Sequence, residues 1–347
     1  MTASVIIPTL NEIAHIEALL DTLLREPPSV VGEILVADGG SRDGTREAVI
    51  AVAARAPRVR LIDNPERFQA AGVNRAVAAA DRRFAIIVRI DAHASYPPDY
   101  VTRLIASLAD SGADSVVVRL TTRGDSGFQR AVAIAQNSRI GTGGSAHRMG
   151  NASAWVDHGH HAAFRRALFE RAGGYDTSFE ANEDAELDAR LRALGGRIWL
   201  DATIPVIYYP RGTLRGLARQ YFRYGSGRAR TSHKHGERLR LRQMLPPAIT
   251  LAIGVGLIGG IVLPVLLVIP LLYALALLAA SSVFALKDRS LTALMAAPAL
   301  ATMHIAWGAG FLKRRALQIG KRRAMIDTEI ETVRGPGRGH ERGGEAL

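Results

Sequence analysis

Two pairs of residues in this chain of 347 have the types and spacing to do chemistry. Asp91 and His93 flank Ala92. At a strand end, two residues two apart face the same way, and this pair could hold a hard divalent ion. Glu183 and Asp184 are adjacent carboxyls ahead of a helix-forming run, Ala185 to Leu194. Like charges that close raise a carboxyl pKa towards the range of a general base. Acidic residues in a first helical turn also complement the helix dipole, so the pair alone leaves both readings open. With no cysteine present, disulfides, thiolate metal sites and thiol nucleophiles are excluded.

Groups this far apart meet only if the fold carries them together. Ser4 to Pro8, Ile34 to Asp38, Val59 to Asp63, Ala85 to Asp91 and Ser115 to Leu120 read as Val- and Ile-rich strands. Ile13 to Arg25, Arg46 to Arg55, Gln69 to Ala80 and Asp99 to Asp110 read as the helices between them. The alternation predicts an α/β domain with a mostly parallel sheet wound on both faces, binding ligands outside the carboxyl ends of its strands. Polar stretches stand at those ends: Pro8 to Glu12, Asp38 to Thr45 and Asp91 to His93. None is a dinucleotide fingerprint or a P-loop. Taken alone, Asp38 to Thr45 is a turn and helix start with Ser41 or Asp43 as cap.

The formal charge of +12 is unevenly spread. Residues 1–210 hold 23 basic and 25 acidic side chains, whereas residues 211–347 hold 21 and 7. The excess lies beside apolar runs rather than on an aromatic-bearing folded surface, so nucleic acid is not an expected partner. Gln243 to Leu286 is 44 residues without a charge. As one helix it would be roughly 66 Å long, about twice the ~30 Å hydrocarbon core, which suits two crossings with a break between Gly259 and Pro264. Ser290 to Leu312 is a weaker third stretch. Ten basic residues between Arg211 and Arg242, against Glu237 alone, put the start of the membrane region on the cytoplasmic side. A third full span would export Lys313, Arg314, Arg315, Lys321, Arg322 and Arg323, so a hairpin with a re-entrant or interfacial third segment competes with three spans. Only Val5, Ile6 and Ile7 precede Pro8, too little for a signal peptide, so the N-terminal domain is expected to be cytoplasmic. From Val333 onward the glycine-rich tail reads as disordered.

Six motifs in order give these pieces a common meaning. They are Pro8-Thr9-Leu10-Asn11-Glu12, Asp38-Gly39-Gly40-Ser41-Arg42-Asp43-Gly44-Thr45, Asp91-Ala92-His93, Gly173-Gly174-Tyr175-Asp176, Glu183-Asp184 and Gln220-Tyr221-Phe222-Arg223-Tyr224. Residues 1 to about 225 resemble the family 2 inverting glycosyltransferases, whose nucleotide-sugar-binding fold is GT-A. The Asp-Ala-His variant and the run Asn182 to Asp188 look most like the membrane-associated glucosyltransferases of succinoglycan-type exopolysaccharide synthesis. Two positions depart from the family pattern: His93 where a carboxylate is usual, and Tyr224 where Trp is more common.

The resemblance implies a UDP-sugar donor. Asp38 would accept from the uracil ring, Glu12 with Thr9 or Pro8 would frame the nucleoside, and Asn11 and Asp43 belong to the same two donor loops. Arg67 and Asn74 lie where the family often contacts the donor. Asp91, with His93, would hold Mn²⁺ or Mg²⁺ on the diphosphate, imidazole favouring Mn²⁺. Asp184 would be the general base, with Glu183 beside it. Gln220 and Arg223 would meet the diphosphate or the acceptor and Tyr224 would stack on a sugar; a basic helix drawn to anionic lipid competes for that segment, Leu214 to Tyr224. Asp157, His158, His160 and His161 lack a third well-spaced ligand, so acceptor-side or structural roles suit them better than a metal site. The division expected is a GT-A catalytic domain over 1–210, a basic interfacial segment over 211–242, a membrane region over 243–312 and a basic cytoplasmic or disordered tail over 313–347. The activity implied is hexosyl transfer, glucosyl by preference, to a polyprenyl diphosphate-linked saccharide at the inner face of the plasma membrane. Direct transfer to polyprenyl phosphate and an inactive membrane scaffold are the rivals.

Overall fold

The structure is a computed structural model that describes residues 1–149 and 152–334. Four parallel strands, β1 (Ala3–Thr9), β2 (Val31–Asp38), β3 (Val59–Asp63) and β4 (Ile86–Arg89), lie in the order β3-β2-β1-β4. Their apolar runs are continuous because both faces are covered. In β1, Val5 and Ile7 enter one core and Ile6 the other; in β2, Ile34 and Val36 oppose Leu35 and Ala37 in the same way. Each such side chain contributes about 1.5–3 kcal/mol on burial. Helix Ile13–Leu24 covers the first face with Ile16, Leu19, Leu20 and Leu23, a spacing that makes one helical stripe. Helices Gln69–Ala79 and Glu183–Ala193 cover the second.

Beyond β4 the sheet becomes mixed. The remaining strands are β5 (Ala94–Ser95), β6 (Ser115–Thr122), β7 (Ala154–Val156), β8 (His160–Arg165) and β9 (Ile198–Tyr208), giving the order β3-β2-β1-β4-β8-β6-β9-β5 with β7 on β9. β8 runs antiparallel between β4 and β6, whereas β6 and β9 are parallel. The reversal matters for function: it brings the first residue of β8, His160, beside the chain leaving the carboxyl end of β4.

The polar segment after β9 is one helix, Leu214–Lys234, longer than Leu214 to Tyr224. Thr213 caps it by accepting from Gly216 N at 3.1 Å. Three apolar segments follow, Leu241–Gly259, Pro264–Asp288 and Leu291–Gly320, each long and apolar enough to cross a membrane. The first break falls between Gly259 and Pro264, as the sequence predicts. Only 11% of each of the first two is buried within the protein, against 39% of the third. The third belongs to a helix, Ala296–Arg334, that packs along Leu214–Lys234 and onto helix Gly127–Gln136. There Ala299, Leu300 and Met303 meet Val132, Leu217 and Tyr221. Farther along, Arg314 Nε donates to Ser226 Oγ at 3.2 Å and Arg315 Nη2 to Ser232 Oγ at 3.3 Å. The helix continues past residue 313, where a tail is expected, because no glycine or proline interrupts it between Gly320 and Gly335. The tail proper, 335–347, lies outside the described residues.

Glycines allow this helix pair to touch backbone to backbone. A Cβ at Gly225 would sit 1.9 Å from Trp307 O, and one at Gly310 would sit 2.0 Å from Phe222 O. Gly310→Val therefore forces the pair apart, a strain of about 1–3 kcal/mol or more. The expected result is a lower apparent Tm and proteolysis near Lys313 in the detergent-purified protein. A variant as stable as the parent would contradict this close crossing.

Candidate active site

The apolar run of β4 ends in a charge, Arg89, whose side chain is 3% exposed. A buried guanidinium needs partners on every side. Arg89 has them at both terminal nitrogens, though its buried Nε lacks one: Nη1 donates to Asp184 Oδ1, and to Tyr175 Oη at 3.1 Å. Nη2 lies 3.3 Å from Asp91 Oδ1 and 3.9 Å from Glu183 Oε1. Tyr175 also donates to Asp184 Oδ1 at 2.9 Å. Asp91, two residues on, and the pair Glu183 and Asp184, some 95 residues on, thus converge on one arginine. His160 stands between two of them, with Nε2 3.5 Å from Asp91 Oδ2 and Nδ1 3.8 Å from Asp184 Oδ2.

The surroundings divide the carboxyls by charge. Burial pushes Asp91 up, but Arg89, His160 and His93 outweigh it and hold the group at about 2. For Glu183 burial, reinforced by Asp184, prevails over Arg89 and raises the carboxyl to about 7. Glu183 and Asp184 open helix Glu183–Ala193, where a first-turn acid would suit the dipole. Their junction with Arg89 and the cavity is more than a dipole contact requires.

A divalent ion fits Asp91 better than it fits His93. Asp91 is ionised and lines the cavity. The Nδ1 of His93 lies 3.0 Å from Glu12 Oε1, a bond that raises the imidazole pKa against burial and so favours the protonated, non-ligating form. Among the described residues no three His, Asp or Glu groups form a metal cage. An ion here would draw most of its ligands from phosphate and water, as Mg²⁺ commonly does.

The other expected residues fall into two sets. Gln220, Arg223 and Tyr224 line the same cavity of about 980 Å³ as the carboxyl cluster. Gln220 Nε2 donates to Tyr208 Oη at 2.8 Å and to Tyr224 Oη at 3.0 Å, while its buried Oε1 lacks a partner. Pro8, Thr9, Asn11, Glu12, Asp38, Asp43, Arg67 and Asn74 do not line it. They shape the adjoining loops at the ends of β1 and β2. Asp38 Oδ1 accepts from Gly40 N and Ser41 N, both at 2.9 Å, and from Arg46 at 3.0 Å. Asn11 N donates to Ser41 Oγ at 2.8 Å and Asn11 Oδ1 accepts from Arg42 N at 3.0 Å, which ties the two loops together. Asp43 Oδ2 accepts from Ile13 N at 3.1 Å; the residue at the helix N-cap is Gly44, not Ser41 or Asp43. Arg67 is exposed, with Nε on Gly39 O at 3.1 Å. Thr9 Oγ1 is buried and unpartnered beside these loops. Asn74 turns elsewhere: its amide clamps the backbone of Tyr175 with two bonds of 2.8 Å. It positions the Tyr175 phenol.

Sequence reasoning missed Arg89 and Gln69, whose Nε2 donates to Asp91 Oδ1 at 2.8 Å, and gave His160 an acceptor-side or structural role without placing it between Asp91 and Asp184. A single arginine inside Ile86-Ile87-Val88-Arg89-Ile90 is the signal for the first. His158 bonds Asp188 Oδ2 at 3.1 Å, a role separate from the cluster.

A mixed α/β sheet with one carboxyl, Asp91, just past β4 and a carboxyl pair, Glu183 and Asp184, opening a following helix is an arrangement of GT-A type. The chain belongs to glycosyl transferase family 2, whose model matches residues 4–173, and is a glycosyltransferase. It is 47% identical over 307 residues to succinoglycan biosynthesis protein ExoA of Rhizobium meliloti (strain 1021), spanning 88% of this chain and 93% of that protein. Among solved structures it is similar to the mannosyltransferase PcManGT from Pyrobaculum calidifontis in complex with GDP-Man and Mn²⁺, with a TM-score of 0.58 and 23% identity over 90% of this chain and 86% of that one.

Proposed function

We propose that the protein transfers a hexose, glucose by preference, from a UDP-sugar to a polyprenyl diphosphate-linked saccharide, with inversion, in exopolysaccharide synthesis. The observation that carries this reading is the shared cavity. Arg89, Asp91, His160, Glu183 and Asp184 line it together with Leu245, Pro246, Ile249, Met303 and Trp307 of the apolar helices, and Arg139, Arg148 and Arg242 line it too. Cations next to apolar side chains suit an acceptor that is anionic and lipid-borne. The name of the ExoA relative supports a place in exopolysaccharide synthesis.

In this reading Asp184 takes the proton of the acceptor hydroxyl through Oδ2, the oxygen that faces His160 and not Arg89. The new bond forms between acceptor oxygen and anomeric carbon as the carbon–oxygen bond to UDP breaks. Arg89 and Tyr175 fix Asp184 for in-line approach. Gln220, Arg223 and Tyr224 hold diphosphate or sugar, and the loops at Thr9, Glu12 and Asp38 frame the nucleoside. A Mn²⁺ or Mg²⁺ ion on Asp91 would supply charge for the departing diphosphate; Mn²⁺ accompanies the nucleotide sugar in the mannosyltransferase. We place the α/β domain at the cytoplasmic face of the plasma membrane with residues 241–288 as a hairpin. The packing of the third helix on the soluble domain supports an interfacial position for it, which keeps Lys313, Arg314 and Arg315 on the side of the positive segment 211–242.

The test is release of nucleoside diphosphate by the purified protein, over several UDP- and GDP-sugars, with a polyprenyl diphosphate-saccharide or polyprenyl phosphate as acceptor. UDP release that depends on the former supports the reading. Product on polyprenyl phosphate alone replaces it with direct lipid glycosylation, and no release with any donor indicates a scaffold. A second expectation concerns pH. The Glu183–Asp184 pair retains a proton below about 7, so turnover should rise with pH through that value. A flat profile on the acid side would show that this pair is not the base.

A further inference from the structure

A second cavity, of about 640 Å³, adjoins the first along helix Leu214–Lys234, between that helix and the third apolar helix. Arg219, Arg223, Arg230, Lys313 and Arg314 line it, against one acid, Glu180. Among the described residues none of the five cations pairs with a carboxylate, whereas Arg46, Arg75 and Arg89 of the α/β domain each do. The cavity also has an apolar lining. Arg230 stacks on Phe179 at 4.1 Å, Lys313 sits 5.7 Å from the Phe222 ring, and Ala306 and Leu317 face in from a segment apolar enough for a membrane. A concentration of unneutralised cations beside apolar surface, at the end of a membrane-competent helix, calls for an anion joined to a hydrocarbon chain.

We propose that this cavity binds the phosphate of an anionic phospholipid headgroup, as a site separate from donor and acceptor. The site is coupled to the transferase centre by shared walls. Arg219, Arg223, Glu180 and Ala181 line both cavities. The segment Ser178 to Asn182 leads directly into Glu183 and Asp184. It is pinned to the helix by Arg230, which donates to Ser178 O and Ser178 Oγ at 2.6 Å, and by Asn182, which donates to Thr231 Oγ1 at 2.8 Å. Asn182 holds φ at +68°, a conformation that depends on such pinning. A bound headgroup phosphate neutralises Arg230, Lys313 and Arg314 and steadies this segment, and with it the carboxyl pair.

The full-length protein is purified in detergent and its retained phosphatidylglycerol is read by native mass spectrometry. This readout needs no turnover, so it stands apart from the donor and acceptor assignments. The double variant Lys313→Ala/Arg314→Ala should lose at least about tenfold in retained lipid, each surface cation being worth roughly fivefold. The charge-keeping variant Lys313→Arg/Arg314→Lys should retain it, which separates loss of a site from loss of fold. In nanodiscs, turnover of the parent should rise when phosphatidylglycerol is added to phosphatidylcholine, and the alanine variant should not respond. Undiminished lipid retention by the alanine variant overturns the proposal. So does displacement of the lipid by inorganic phosphate at comparable concentration, which would make the ligand a soluble anion.

Discussion

Asp184→Asn abolishes sugar transfer, lowering turnover by about 10²- to 10⁴-fold, and leaves UDP binding intact. The amide keeps the size of the carboxyl and can still accept from Tyr175, whose Oη lies 2.9 Å from Asp184 Oδ1. What it lacks is the capacity to take a proton. Glu183→Gln should be milder, because Glu183 touches the cluster through Arg89 at 3.9 Å and acts on the charge of its neighbour. The measurement is steady-state release of UDP alongside nucleotide affinity from titration calorimetry. Turnover in Asp184→Asn within tenfold of the parent would move the base elsewhere, with Glu183 next in position.

The second large effect is structural. Arg89→Leu removes the one buried cation that faces Asp91, Glu183 and Asp184. Three carboxyls then remain around an apolar side chain, and loss of one partner from a buried ionic cluster costs about 3–5 kcal/mol. The apparent Tm should fall by on the order of 10 °C. Protons would relieve the repulsion, so the deficit should shrink at acid pH, where raised carboxyl pKa values leave the groups neutral. Arg89→Lys keeps the charge but not the fork that reaches Asp184 and Asp91 at once; it should fold and transfer poorly. Parental stability in Arg89→Leu at neutral pH would mean that the cluster is solvated and not held by this residue.

Sequence pattern was most informative where burial is symmetrical. The strands β1, β2 and β4 announce themselves because nearly all their side chains, on both faces, are buried and most of them are apolar. β8 does not, since His160-His161-Ala162-Ala163-Phe164-Arg165 mixes polar and apolar residues without a period. Nor does β9, whose pairing with β6 shifts register between Val118 and Arg119 and whose sequence includes Pro205. The same contrast holds for the site. Asp91, Asp184, Gln220 and Tyr224, each named from the sequence, line one cavity. Arg89, and the partners of His160, were illegible because those partners come from 95 residues downstream, in the case of Arg89 and Asp184, or across a strand whose direction no local signal sets. Asn74 illustrates a different limit: a polar residue in the expected stretch whose amide bonds the backbone of Tyr175, a contact no local pattern signals.

The third apolar helix also bears on the order in which the protein is made. Met303, His304 and Trp307 complete one wall of the cavity, and these residues belong to a helix that leaves the ribosome after the first two apolar segments. The α/β domain can fold before this helix is made, but its binding chamber stays open on one side until Gly310 has passed Phe222. Synthesis thereby orders assembly: with the hairpin proposed above inserted as it emerges, anchoring comes first and closure second, and a chain not yet fixed at the bilayer has no finished site in which to spend a sugar donor.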